Sequence, residues 1–156
     1  MNNFFLFLIC IAIPMSVGAI SGIFTIKAVN GWYATAIKPS FNPPNYVFGP
    51  VWTVLYLMMG VSLYLILKQA GTAFPTSAVI VFSIQLILNF FWSLIFFKWQ
   101  KPGIALFEII VMWLSIAAMI FVFYSIKPVA AYLQLPYLCW VSFATVLNAA
   151  FWRLNK

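Results

Sequence analysis

The sequence predicts an all-α membrane protein: one domain over residues 1–156, a bundle of five transmembrane helices with a structured proline-rich first loop acting as a lid. Three observations predict it. Of the 156 residues, 66% are hydrophobic, 20% aromatic and only 6% charged, where a soluble domain carries about 25% charged residues. So few charges cannot cover a surface in water, so most of the outside faces lipid. At roughly 20 residues per span, the length holds five helices and short connections, with no room for an extramembrane domain. Lastly, the stretch Trp32–Gly60 opens with Pro39, Pro43, Pro44 and Pro50 alternating with aromatics before an apolar run. Proline fixes φ and removes a backbone donor, so this opening is read as a stiff connection.

The first span is expected over about 4–26, kinked near Pro14. No basic residue precedes its apolar core, and apolar sequence continues past any cleavage point, so it reads as a retained helix rather than a signal peptide. Gly18 and Gly22 form a small-xxx-small pair with Ser21 beside them, which admits another backbone or a ligand at close range. Packing within the bundle is favoured over a dimer seam. The lid loop covers 27–46, and the second span follows over about 47–67. Lys68, Gly71 and Pro75 mark the next turn. The third span, 78–97, ends at the Lys98–Lys101–Pro102–Gly103 cluster. The fourth, 104–124, is closed by Lys127–Pro128, and the fifth, 130–152, is interrupted by Pro136 and followed by Arg153 and Lys156.

Eight Lys/Arg against the single acid Glu108 give a net charge of +7. The cations lie mostly at the ends of apolar runs, which suits anchoring at phospholipid head groups and not nucleic acid. Lys27, Lys38, Lys98, Lys101, Arg153 and Lys156 share one side, leaving Lys68 and Lys127 on the other. The positive-inside rule then puts the first loop and the C-terminus in the cytoplasm and the N-terminus outside. There is no histidine, which removes the commonest general base and metal ligand. Cys10 and Cys139 sit inside apolar runs without a metal or redox spacing and read as buried, inert thiols.

Placing the spans at common depth, with about 1.5 Å rise per residue, gathers Trp52, Asn89, Trp92, Glu108, Ala144 and Leu147 beneath the first loop, with Trp140 nearer the midplane. Gln85, Asn89 and Trp92 share one helix face, as do Trp140, Ala144, Leu147 and Phe151, and Tyr56 lies one turn from Trp52. An amide facing hydrocarbon is costly, so the first stripe faces the bundle or a cavity. Asn89 and Gln85 bonding to a neighbouring helix is the competing reading. Trp32, Trp99 and Trp152 read as interface anchors, and Glu108 as a structural or pocket-edge acid, neutral or paired with a cation such as Lys101. No nucleophile–base pair, phosphate loop or metal cluster can be assembled. What the residues support is a lidded aromatic cavity for a flat, largely apolar ligand with a polar edge.

These residues resemble the translocator protein family, also called tryptophan-rich sensory proteins or peripheral benzodiazepine receptors. The family pattern is matched by Trp32-Tyr33, Lys38-Pro39, Pro43-Pro44, Pro50-Val51-Trp52, Leu55-Tyr56 and Met59-Gly60. It continues in Leu88-Asn89, Trp92 and Phe96-Phe97, then in Pro136-Tyr137-Leu138, Trp140, Phe143-Ala144-Thr145, Leu147-Asn148 and Trp152-Arg153. The resemblance implies a bacterial cell-membrane protein that binds tetrapyrroles such as protoporphyrin IX and benzodiazepine-type drugs, with no cofactor required. Its implied ligand-binding residues are Tyr33, Pro43, Trp52, Asn89, Phe90, Trp140, Ala144 and Leu147, to which Tyr56 and Phe143 are added as neighbours. Bacterial relatives are commonly homodimers, and light-driven breakdown of bound porphyrin would give Trp52 and Trp140 a chemical role. A porphyrin or lipophile transporter is the alternative, disfavoured by the lack of an internal repeat. The tyrosine of the cholesterol-binding pattern is absent between Asn148 and Trp152, so sterol transport is not implied.

Overall fold

The computed structural model describes residues 2–69 and 74–156, and the predicted turn residue Gly71 lies outside them. Apolar runs of this length satisfy their backbone polar groups internally only as helices. The described residues form helices α1 (Asn3–Val29), α2 (Trp32–Thr35), α3 (Asn45–Gln69), α4 (Thr76–Ser93), α5 (Pro102–Ile126), α6 (Pro128–Tyr132) and α7 (Leu135–Leu154), with no strand. Five stretches are long and apolar enough to span a membrane, the last being α6 and α7 together. The protein is an integral-membrane five-helix bundle.

Proline sets several boundaries. Pro102 and Pro128 occupy first turns, where the missing N–H costs nothing. The fifth span is interrupted at Leu133–Gln134, and Pro136 sits in the first turn of α7, where a residue without an N–H is tolerated. Pro50 departs from the stiff-connection reading: it lies inside α3, which starts at Asn45. The third span also differs from a plain α-helix. Its last turn, Leu94–Lys98, is π-helical, with the Trp99 N–H donating to the Leu94 carbonyl at 2.8 Å.

Helix α5 is the hub. Ala105, Met112, Ile116, Met119 and Phe123 are fully buried, and it packs against α4 and α7. Phe123 stacks flat on Phe82 of α4, with centroids 6.4 Å apart. α1 runs along α3. Their backbones come close at Gly60, where an added Cβ would lie 2.7 Å from Ile11 Cα and 2.8 Å from the Cys10 carbonyl oxygen. Gly18 faces the Tyr56 ring, so this half of the small-residue pair is used inside the bundle.

The connection between α1 and α3 is tied down at several points. Trp32, expected as an interface anchor, instead donates its indole N–H to the Phe97 carbonyl at 3.0 Å and packs on Phe96 and Phe151. Asn155, just past α7, clamps Ile37 twice: its Oδ1 accepts the Ile37 N–H at 3.0 Å and its Nδ2 donates to the Ile37 carbonyl at 2.8 Å. Cys10 is buried as expected, but Cys139 is exposed. An apolar run shows that a residue lies in a span, not which face it takes.

Candidate functional site

A cavity of about 540 Å³ opens between α1, α3, the end of α4 and α7. Its wall is drawn from the halves of those helices nearest the α1–α3 connection, whose two ends also contribute Val29, Asn30 and Tyr33, then Asn45 and Tyr46. A volume of this size falls within the range of roughly 300–1,000 Å³ found for small-molecule sites.

Of the candidate residues, Tyr33, Trp52, Tyr56, Trp140, Ala144 and Leu147 line this wall. Trp52 lies nearly parallel to Tyr56, with ring centroids 5.6 Å apart. Phe48 meets Trp140 edge-on at 5.9 Å. Tyr33 stacks on Phe151 at 5.3 Å, and its hydroxyl donates to Asn42 Oδ1 at 2.9 Å. Burial pushes the Tyr33 hydroxyl above its ordinary pKa, so it stays neutral and remains a donor through physiological pH.

Pro43, Asn89, Phe90 and Phe143 are outside the wall. Pro43 sits in the connection, where its carbonyl accepts from the Asn42 amide. Phe90 packs edge-on against Phe91, one residue and about 100° around the helix from Asn89. Phe143 packs outside Trp140 at 5.6 Å. Asn89 stands directly behind the wall. It accepts the Tyr56 hydroxyl proton at 2.6 Å and donates to the Tyr137 hydroxyl at 3.0 Å, so three spans meet at one buried amide. That is the helix-bonding reading, and it also fixes the orientation of Tyr56 at the cavity floor.

Replacing Asn89 with Leu leaves two buried hydroxyls without this partner, at about 1–3 kcal/mol each. The thermal midpoint in detergent should fall by several degrees, with a smaller fall for Tyr56→Phe, which removes a single bond. Equal midpoints for Asn89→Leu and wild type would refute this role.

Gln85 is fully buried, and neither its amide oxygen nor its nitrogen has a hydrogen-bond partner among the described residues. Glu108 is buried outside the cavity wall, and neither of its carboxyl oxygens has a hydrogen-bond partner among the described residues, so of the two expected states, neutral or paired with a cation such as Lys101, the pairing is not formed.

Several residues beyond the candidate set also line the wall. α1 supplies Gly18, Ser21, Gly22 and Thr25, and an added Cβ at Gly22 would meet nothing within 4 Å. The small-residue pair thus divides its work: Gly18 admits Tyr56 and Gly22 leaves open space. The π-helical turn brings Phe96 and Phe97 into the wall beside Trp92 and Ser93. Such turns recur at functional sites, and no glycine or proline within Leu94–Lys98 marks this one. Asn148 also lines the cavity while accepting from the Trp92 indole at 3.2 Å.

The chain matches the model of the TspO/MBR family over residues 10–153. It is 41% identical over 151 residues to the tryptophan-rich protein TspO of Chlorobaculum tepidum, covering 94% of each chain. It is 42% identical over 127 residues to the human translocator protein, covering 80% of this chain and 75% of the human one. Identity to the tryptophan-rich sensory protein of Cereibacter sphaeroides is 34% over 152 residues, covering 97% and 90% of the two chains. With its five spans and its aromatic cavity, the chain belongs to the TspO/MBR family.

Proposed function

We propose that this protein is a membrane receptor or sensor for tetrapyrroles such as protoporphyrin IX, that the same cavity accepts benzodiazepine-type drugs, and that it promotes light-dependent porphyrin degradation. The observation that carries this reading is the aromatic cavity of about 540 Å³, with Trp52, Tyr56 and Trp140 in its wall. Flat apolar rings gain from aromatic faces beyond simple area burial. Tyr33 and Asn148 supply polar edges around this apolar body. Binding of this kind needs no conventional catalytic set. The residues described include no cluster of potential metal ligands.

The photochemical part rests on Trp52 and Trp140 sharing the cavity. An indole there is positioned to exchange electrons with an excited macrocycle and dissolved oxygen, while the pocket retains the reactive species. The bias of six cations to two supports the cavity end facing the cytoplasm, and the likeness to the Chlorobaculum and Cereibacter proteins supports placement in a bacterial cell membrane.

The test is a titration of purified protein with protoporphyrin IX in the dark, followed by tryptophan quenching and repeated under illumination with absorbance recorded over time. Saturable quenching is expected, with light-driven loss faster than in empty micelles. Trp52→Phe combined with Trp140→Phe should keep the dark affinity within about threefold, roughly 0.7 kcal/mol, while lowering the light-driven rate at least tenfold. Absence of saturable quenching refutes the ligand. Equal rates in protein and micelles refute the chemistry and leave a receptor.

A further inference from the structure

A second apolar hollow, about 600 Å³, lies on the outer side of the bundle between α3 and α7. Pro50, Val54 and Met58 line it from α3, and Cys139, Trp140 and Phe143 from α7. Trp140 belongs to both linings, so one indole separates the hollow from the inner cavity. The backbones leave room for such an opening: α3 packs along α1 and α7 along α5, while α3 and α7 have little backbone contact. Rings close the seam: Phe48 of α3 meets Trp140 at 5.9 Å and Trp52 meets Tyr137 at 6.1 Å, while Phe143, also on α7, backs Trp140 at 5.6 Å.

The indole itself is held lightly. Trp32, Trp92 and Trp113 each donate an indole hydrogen bond, whereas among the described residues Trp140 is held by aromatic contacts without one. Swinging it aside therefore leaves no buried donor stranded, and the rings it parts from are themselves side chains that can move. The outer hollow faces the region where a lipophilic molecule dissolved in the bilayer concentrates. The other opening, beneath the α1–α3 connection, is framed by Asn30 and Asn45.

We propose that the α3–α7 seam is a lateral portal: a flat lipophilic ligand passes between bilayer and cavity there, and Trp140 is the movable partition. This rests on the reading that the cavity binds such a ligand, here protoporphyrin IX.

Cys139 provides the test. In a Cys10→Ala background it is the remaining thiol, and a bulky lipid-soluble maleimide on it obstructs the hollow without entering the inner wall. Labelled and unlabelled protein are reconstituted in phosphatidylcholine vesicles, and protoporphyrin IX association and dissociation are followed in the dark by stopped-flow tryptophan quenching. Both rates should fall at least tenfold in the labelled protein, with Kd within threefold. Cys139→Phe should slow both rates in the same direction, and Cys139→Ser should not. The same label at Asn45→Cys, in a background lacking both native thiols, should slow exchange less than the Cys139 label does.

Unchanged rates with the label at Cys139, or greater slowing from Asn45→Cys, overturn the portal and leave the binding reading intact. A weaker Kd with an unchanged association rate makes the hollow part of the binding site and overturns the portal as well. Absence of saturable quenching in every sample overturns the binding reading, and the portal with it.

Discussion

Ala144→Phe should weaken protoporphyrin IX binding at least 100-fold, a loss of about 2.7 kcal/mol, in a protein that still folds. Ala144 lies on the face of α7 that carries Trp140, Leu147, Asn148 and Phe151 into the cavity wall, and it is the smallest side chain of that stripe. A benzyl group there occupies ligand space instead of helix-packing space, so the cost falls on binding. Ala144→Ser, nearly the same size, should keep the affinity within a few fold. The check is dark tryptophan quenching alongside thermal unfolding of each variant. Wild-type affinity in Ala144→Phe would mean that the ligand does not use this cavity. A collapse of the thermal midpoint would mean that Ala144 serves packing.

The stripe on which this expectation rests is legible in the amino-acid sequence, because helical periodicity alone puts Trp140, Ala144 and Leu147 together and Trp52 beside Tyr56. The five spans are legible for a similar reason. Apolar runs bounded by Lys, Pro and Gly have few alternatives in lipid, and each spanning stretch runs one to three residues beyond its expected bounds at an end. What periodicity does not carry is the partner across space. It turns Asn89 inward, but the bonds of that amide to Tyr56 and Tyr137 depend on how three helices are rotated. Trp32 has the position of a membrane-belt residue, and only the fold supplies the Phe97 carbonyl as its acceptor. The Asn155–Ile37 clamp joins residues 118 apart in sequence, and neither residue type advertises it. Cys139 shows the same limit at smaller scale: it is next to Trp140, yet it faces outward.

Gly60→Ala should lower the thermal midpoint in detergent by roughly 2–8 °C, a net loss of about 1–2 kcal/mol at about 2–4 °C per kcal/mol for a chain of this size. Two opposing effects meet at this position. Alanine is a better helix former than glycine by about 1 kcal/mol, which by itself raises stability. Against it, the new methyl group would sit 2.7 Å from Ile11 Cα and 2.8 Å from the Cys10 carbonyl oxygen. These are backbone atoms of α1, and no rotamer change moves them. The two helices must separate, and in lipid their association depends on close packing of small residues. Overpacking of a rigid site costs about 1–3 kcal/mol or more, and here the loss extends along the α1–α3 contact, so it outweighs the propensity gain. Gly22→Ala separates the two terms. It lies in the same pair of packed helices, but its added methyl group meets nothing within 4 Å, so only the helix preference remains and its midpoint should hold or rise. Equal shifts in the two variants would show that glycine flexibility, and not the α1–α3 contact, sets the effect. A fall confined to Gly60→Ala fixes the close crossing of α1 and α3 as what holds one wall of the cavity in place.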